Sequence, residues 1–269
     1  MNKLNYSFTT AIPHWGSPVT VVGTRAKKPS ISIVIPAFNE ARYIARTLES
    51  VLRAKARYQG PLEVIVVDNN SSDETAAIAR SLGTAVVFER VNQIARARNA
   101  GAAAATGDYL IFIDADTIIE GDILDKVETS LSSGRVIGGG AWVEPDSGWL
   151  GRLLFKYAIN YVLGLRNVTV GPFLYCDRDA FRKIGGFDED LYAAEEFALA
   201  TRLKAEGRKK NKSWKIIKYD KEHRVVTSNR KFDKFGGLEM ALQNAHMIWK
   251  PNEKLRRKNQ CKFWYETRK

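Results

Sequence analysis

Residues 31–70 read ISIVIPAFNEARYIARTLESVLRAKARYQGPLEVIVVDNN. ISIVIP is a short apolar, β-branched run closed by Pro36, and in ARYIARTLESVLRAK the apolar residues recur at helical spacing. EVIVVD then repeats the character of the first run. Two fully apolar strands joined by a helix require a crossover connection and a parallel sheet covered on both faces. The pattern continues downstream. Ser71 to Glu74 has capping-box spacing ahead of a helix that Gly83 closes, TAVVFE is a third strand, QIARARNAGAAAAT a third helix and YLIFID a fourth strand. The predicted class is α/β: a doubly wound, mixed but mostly parallel sheet with helices on both faces.

The second half changes character. Gly138, Gly139 and Gly140 precede a predicted strand, Trp149 to Leu165 suggests an amphipathic helix, and GPFLYCDRDAFRKIGGFDED at 171–190 predicts strand, short helix and a double-glycine stop. Glu195 to Glu206 forms a further helix ended by Gly207. With no internal repeat or linker, one domain is expected over 31–230, divided into a nucleotide-binding half (31–117) and an acceptor half (118–230). Residues 1–30 read as a lead-in, and 231–269 as a basic helix and tail.

Composition narrows the function. The 269 residues are 45% hydrophobic and 27% charged, which suits a soluble globular chain and excludes disordered or fibrous classes. The apolar run from Trp149 to Leu165 carries Arg152 and Lys156, short of the roughly 18 uncharged residues of a spanning helix. The N-terminal stretch MNKLNYSFTTAIPHWGSP has no signal-peptide core, so a cytoplasmic protein is expected. Two cysteines, Cys176 and Cys261, and three scattered histidines, His14, His223 and His246, exclude a disulfide scaffold and a zinc site. The net charge of +12 is not spread evenly: residues 204–269 hold 20 Lys and Arg against 7 Asp and Glu, and the rest of the chain is close to neutral. This localised excess suits a solvated surface or an anionic membrane face rather than nucleic acid.

In doubly wound sheets ligands bind beyond the carboxyl ends of the strands. Three polar clusters fall there: Asn39-Glu40, Asp68-Asn69-Asn70 and Asp114-Ala115-Asp116. Asp114 and Asp116, two residues apart on an extended chain, would point to one side and offer hard oxygen donors to Mg²⁺ or Mn²⁺ shared with a diphosphate, or form an ordinary polar turn. Asp68 ends a buried strand, where its oxygens would accept from a nucleotide base or cap a helix. Phe38 would offer a face to a base or pack in the core. Arg98 would place a guanidinium on phosphates or belong to a solvated face. Glu195 and Glu196 open a helix, where acids favour the positive end, and either could also take a proton from a hydroxyl. Cys176 reads as packing.

PAFNE at 36–40, VVDNNSSDET at 66–75, ARNAG at 97–101, GDYLIFIDADT at 107–117, and FRKIGGFDE followed by EEFALATRL resemble, in order and spacing, the family 2 glycosyltransferases of GT-A fold. The resemblance covers Ile31 to Leu203. It implies that Phe38 stacks on the nucleotide base, that Asp68 accepts from it, and that Arg98 lies in the nucleotide pocket, which is expected to include Pro36, Ala37, Glu40, Asn70 and Ala115 as well. Asp114 and Asp116 match the D-x-D that meets ribose, diphosphate and a divalent cation (Mn or Mg). Glu196 takes the second place of the family's Glu-Asp pair, with the catalytic base at Glu196 or Glu195. Glu196 replaces the usual aspartate, and Ala198 stands where many members carry another acid. No Gln-x-x-Arg-Trp motif follows Leu203, which argues against a processive synthase.

The expected activity is a metal-dependent, inverting, non-processive transfer of a sugar from a UDP- or GDP-sugar to a glycan, lipid-linked or small-molecule acceptor, possible at an anionic inner membrane face. A sugar-nucleotidyltransferase would need a glycine-rich, lysine-bearing loop where PAFNEARY stands. A non-catalytic nucleotide or glycan-binding module would keep the pocket without the chemistry. A dehydrogenase is excluded because no GxGxxG follows ISIVIP.

Overall fold

Strand β1 (Ile31–Ala37) is buried along its whole length, because its alternate side chains feed two different cores. Ile31, Ile33 and Ile35 pack with Ile44, Leu48 and Val51 of helix α1 (Ile44–Arg57), while Val34 faces Ala95, Ala97 and Ala102 of helix α3 (Ile94–Ala104) on the opposite side. The computed structural model describes residues 29–146, 171–218, 223–228 and 230. The lead-in before residue 29, the Trp149–Leu165 segment and the tail from 231 lie outside the described residues.

β1 runs parallel to β2 (Leu62–Asp68) and to β4 (Tyr109–Ile113), and β2 is parallel to β3 (Ala85–Phe88). Helix α2 (Thr75–Ser81) connects β2 to β3. The second half adds β5 (Thr117–Gly121), α4 (Ile123–Ser132), β6 (Val136–Ala141), β7 (Glu144–Pro145), β8 (Phe173–Asp177), α5 (Arg178–Lys183), α6 (Glu195–Lys209), β9 (Ser213–Ile217) and β10 (His223–Thr227). The main sheet has the order β3-β2-β1-β4-β8-β6-β9. β8 is antiparallel to β4 and β6, and β6 is parallel to β9, so the sheet is mixed and mostly parallel, as expected. A second, three-stranded sheet, β5-β10-β7, was not foreseen. It pairs Thr227 with Thr117 and so brings the end of β10 to the residues just after β4. Among the described residues no helix is long and apolar enough to cross a membrane.

Four local expectations need correction. The Ser71–Glu74 capping box does not form. α2 begins at Thr75, whose amide donates to Asp73 Oδ1, and the Ser71 hydroxyl accepts from the Asn39 amide. The glycines at 138–140 lie inside β6 rather than ahead of a strand, where a Cβ on Gly139 would strike the Lys215 backbone oxygen. α6 runs past Gly207 to Lys209, because a single glycine costs a helix only about 1 kcal/mol. Residues 114–116 are not extended, since the Thr117 amide donates to the Asp114 carbonyl and closes a turn.

α3 lies unusually deep on the sheet. Its alanines present little bulk, and a Cβ on Gly101 would press into Val34 and Val67. That depth carries Arg98 into the interior.

Candidate active site

The loops after β1 and β2 lock to each other. Asn39 and Asn70 both take the left-handed backbone conformation (φ 52 and 66), which asparagine tolerates better than most residues. The Asn39 side-chain oxygen accepts from the Ser72 amide at 2.8 Å, and Asp68 Oδ1 accepts from the Ser71 amide at 3.0 Å. Asn69 donates to the Glu89 and Val91 carbonyls and accepts from the Gln93 amide, joining these loops to the start of α3. Pro36 and Ala37 are buried strand residues, Phe38 is half-buried, and Asn70 is exposed. Asp68 is nearly buried.

Arg98 is the centre of the first charged cluster. Its side chain is 1% exposed, with Nη2 at 2.9 Å from Asp114 Oδ1 and Nη1 at 2.8 Å from Glu195 Oε1 and 3.0 Å from Glu196 Oε1. Its guanidinium also lies 5.2 Å from the Phe187 ring centre. The sequence suggests a phosphate partner for Arg98; in the fold both terminal nitrogens go to protein carboxylates. One cation serves three acids. Burial alone would lower the affinity of Arg98 for its proton, but Glu196, Asp114 and Glu195 outweigh it and hold the guanidinium firmly charged. Burial, and then the charge of Glu196, push the Glu195 carboxyl up to about 8. The two glutamates differ in access: Glu195 is 2% exposed and Glu196 14%. Glu195 Oε2 is buried and has no hydrogen-bond partner among the described residues. Glu196 has its space because position 171 is glycine, whose missing Cβ would run into Glu196 Oε1.

α3 also fixes the loop that leads into α6. Gln93 Nε2 donates to the Glu189 and Leu191 carbonyls at 2.6 and 2.9 Å. Asn99 exchanges two hydrogen bonds with the Phe187 backbone and donates to Glu189 Oε1. Arg96 pairs with Glu189 at 3.1 Å. An open cavity of about 630 Å³ lies against this loop, lined among others by Arg90, Gln93, Arg96, Glu189, Asp190 and Tyr192.

The second cluster centres on Arg230, which the sequence reading did not single out. Its fork meets both oxygens of the buried Glu40 at 2.7 and 2.6 Å, and Nη2 lies 3.2 Å from Asp116 Oδ2. The Ser228 hydroxyl donates to the same Asp116 oxygen, and the Thr227 hydroxyl reaches Oδ1 at 3.5 Å. The Tyr43 ring covers the guanidinium at 5.2 Å. Burial opposes the charge on Arg230, but the Glu40 hydrogen bonds and Asp116 outweigh it. The available signal was HRVVT at 223–227, a short β-branched run followed by the polar Ser228 and Asn229. The turn at 114–116 therefore divides the D-A-D: Asp114 joins Arg98, and Asp116 joins Arg230. Ala115 between them is buried, and its carbonyl accepts from the Thr47 hydroxyl.

Among the described residues no three His, Cys, Asp or Glu side chains converge as a metal site. Asp116 nonetheless suits a hard cation whose remaining ligands come from a diphosphate and water, because among the described residues Oδ1 has only the long Thr227 contact while Oδ2 carries the arginine and serine.

Residues 32–185 match the family model described as Glycosyl transferase family 2. The PGL/p-HBAD biosynthesis glycosyltransferase of Mycobacterium bovis is 31% identical over 241 residues, covering 82% of this chain and 83% of that protein. The chain belongs to glycosyltransferase family 2, and it is a glycosyltransferase by descent. Among solved structures, S. aureus TarS 1-349 aligns with a TM-score of 0.57 at 18% identity, over 88% of this chain and 70% of that one. The mannosyltransferase PcManGT from Pyrobaculum calidifontis, in complex with GDP-Man and Mn²⁺, aligns with a TM-score of 0.54 at 19% identity, over 82% and 65%. These likenesses establish the GT-A fold.

Proposed function

We propose that the protein moves a sugar from a UDP- or GDP-sugar to an acceptor hydroxyl with inversion at the anomeric carbon, with Glu196 as the base and a divalent cation, Mn²⁺ or Mg²⁺, held at Asp116. The observation that carries this reading is the convergence of Asp114, Glu195 and Glu196 on one buried arginine at the carboxyl edge of the sheet. As the acceptor oxygen attacks, its proton passes to the Glu196 carboxylate, and the bond from the anomeric carbon to the diphosphate oxygen breaks with its electron pair leaving on the nucleoside diphosphate. When bound, the cation would offset the charge that grows on that leaving group. Phe38, Asp68 and Asn70, with the loop residues Pro36 and Ala37 behind them, would receive the nucleotide.

Glu195 is the weaker candidate for the base. Burial and the charge of Glu196 favour its protonated form, and at 2% exposure against 14% it is the less accessible of the two to an acceptor hydroxyl. Its part is to share Arg98 and so orient Glu196. The cavity beside Tyr192, within three residues of Glu195, supports an acceptor surface there. The basic residues from 204 onward support a cytoplasmic enzyme working against an anionic membrane face on a lipid-linked acceptor. Vesicle flotation that weakens with rising salt would check that location.

A screen of UDP- and GDP-sugars with Mn²⁺ or Mg²⁺, reading released nucleoside diphosphate, tests the reaction. Release from one donor is expected. A donor that binds and is never cleaved, with or without candidate acceptors, would leave a binding module instead. If Glu195→Gln is the inactive variant and Glu196→Gln stays active, the base is Glu195.

A further inference from the structure

Arg230 already holds one oxygen of the Asp116 carboxylate on which the cation is proposed to sit. Its Nη2 is shared between Asp116 Oδ2 at 3.2 Å and Glu40 Oε1 at 2.6 Å, and the Tyr43 ring closes one side. Glu40 is 1% exposed, so the pair is anchored from below by a buried charge. The guanidinium is not fully matched in this seat: Nε is buried and has no hydrogen-bond acceptor among the described residues. An orphaned donor of this kind is unfavourable, so the seat is held by charge and leaves a donor for another acceptor.

The charge count decides how a metal enters. Glu40, Asp116 and Arg230 together carry one net negative charge. A divalent ion added beside Arg230 would turn that into one net positive charge, with two cations sharing one carboxylate in a partly buried place. A nucleoside diphosphate supplies oxygens that both cations can use. We infer that Arg230 and a divalent cation compete for Asp116 in the nucleotide-free protein, so that Arg230 guards the cation seat until the donor diphosphate takes up its guanidinium. The inference rests on the cation role proposed for Asp116. It makes metal and nucleotide binding mutually dependent, each strengthening the other by the same factor.

Manganese affinity, read by the loss of the free-ion electron paramagnetic resonance signal, tests this without catalysis. Wild type should bind Mn²⁺ weakly alone and more tightly with UDP or GDP. Arg230→Gln should bind nucleotide-free Mn²⁺ about tenfold tighter or more, and nucleotide should then add less. Glu40→Gln should move the other way, because Arg230 then has Asp116 as its main counter-charge. The double variant Glu40→Gln/Arg230→Gln removes both charges, keeps the Glu40 shape and leaves Asp116 as the cluster's one carboxylate; it should bind Mn²⁺ more tightly than Glu40→Gln does, even if the single Arg230→Gln variant folds poorly. Equal affinity in the folded double variant and in Glu40→Gln, with wild type still binding Mn²⁺ in the presence of nucleotide, overturns the competition and leaves the metal role standing. Absence of Mn²⁺ binding by every protein with UDP or GDP present overturns both.

Discussion

Two arginines organise the carboxyl edge of the sheet, and they do it differently. Arg98 comes from a helix laid deep against the sheet, is 1% exposed, and gathers three acids. Arg230 follows a strand of the small second sheet, is 16% exposed, and gathers two. Asp114 and Asp116 are near neighbours in sequence yet belong to opposite clusters. The contrast suggests a division of labour. A deep cation shared by three acids suits the orientation of a base, and a shallower one shared by two suits a seat that must change hands when ligand arrives.

The largest effect should come from breaking the deeper cluster. Arg98→Ala leaves the acids at 114, 195 and 196 without their shared cation and is expected to cost about 3–5 kcal/mol of stability in urea unfolding. Arg98→Lys should recover only part of it, since an ammonium cannot meet three acids with a planar fork. Arg230→Ala should cost less in the same measurement, and equal losses would erase the distinction between the clusters. A middle effect concerns the brace on the α6 loop. Asn99→Ala frees the Phe187 backbone bonds and should cost about 1–3 kcal/mol, with faster amide exchange confined to residues 187–194. Exchange unchanged in that loop would mean that Arg98 alone holds the acids.

A further effect is a slope with pH. The Glu195 carboxyl is raised in the fold from its ordinary 4.5 to about 8, so the folded state keeps a proton that the unfolded chain releases. The stability linked to this group is fully present below 4.5 and is lost as pH rises towards 8. Glu195→Gln cannot ionise, so the difference in melting temperature between wild type and this variant should drift against wild type over that range. A flat difference would show that Glu195 is ionised throughout.

Sequence made the first half of the fold legible because each strand there is an unbroken apolar run, buried on both faces, with an amphipathic helix between. Asp114 and Asp116 stood out because acids seldom end a buried apolar strand, and Glu195 and Glu196 because the pair follows FRKIGGFDE in the order of the family's motifs. What escaped has physical causes. β7 is two residues long, and β5 follows β4 after one tight turn, so neither shows a period of its own. Arg230 lies 190 residues from Glu40, and only β10 pairing with β5 makes them meet. Arg98 was visible as a residue but not as a buried one, because the small side chains that sink α3 carry no hydrophobic signal.

The division of labour is tested most directly by crossing two variants with two readouts. Calorimetry of UDP or GDP with Mn²⁺ measures the Asp116 side, and release of nucleoside diphosphate from the preferred donor measures the Glu196 side. Asp116→Asn should lose metal-dependent nucleotide binding, whereas Glu196→Gln should bind as wild type does and turn over about 10²–10⁴ times more slowly. Glu196→Gln turning over at the wild-type rate, or losing nucleotide binding to the same extent as Asp116→Asn, would contradict the account.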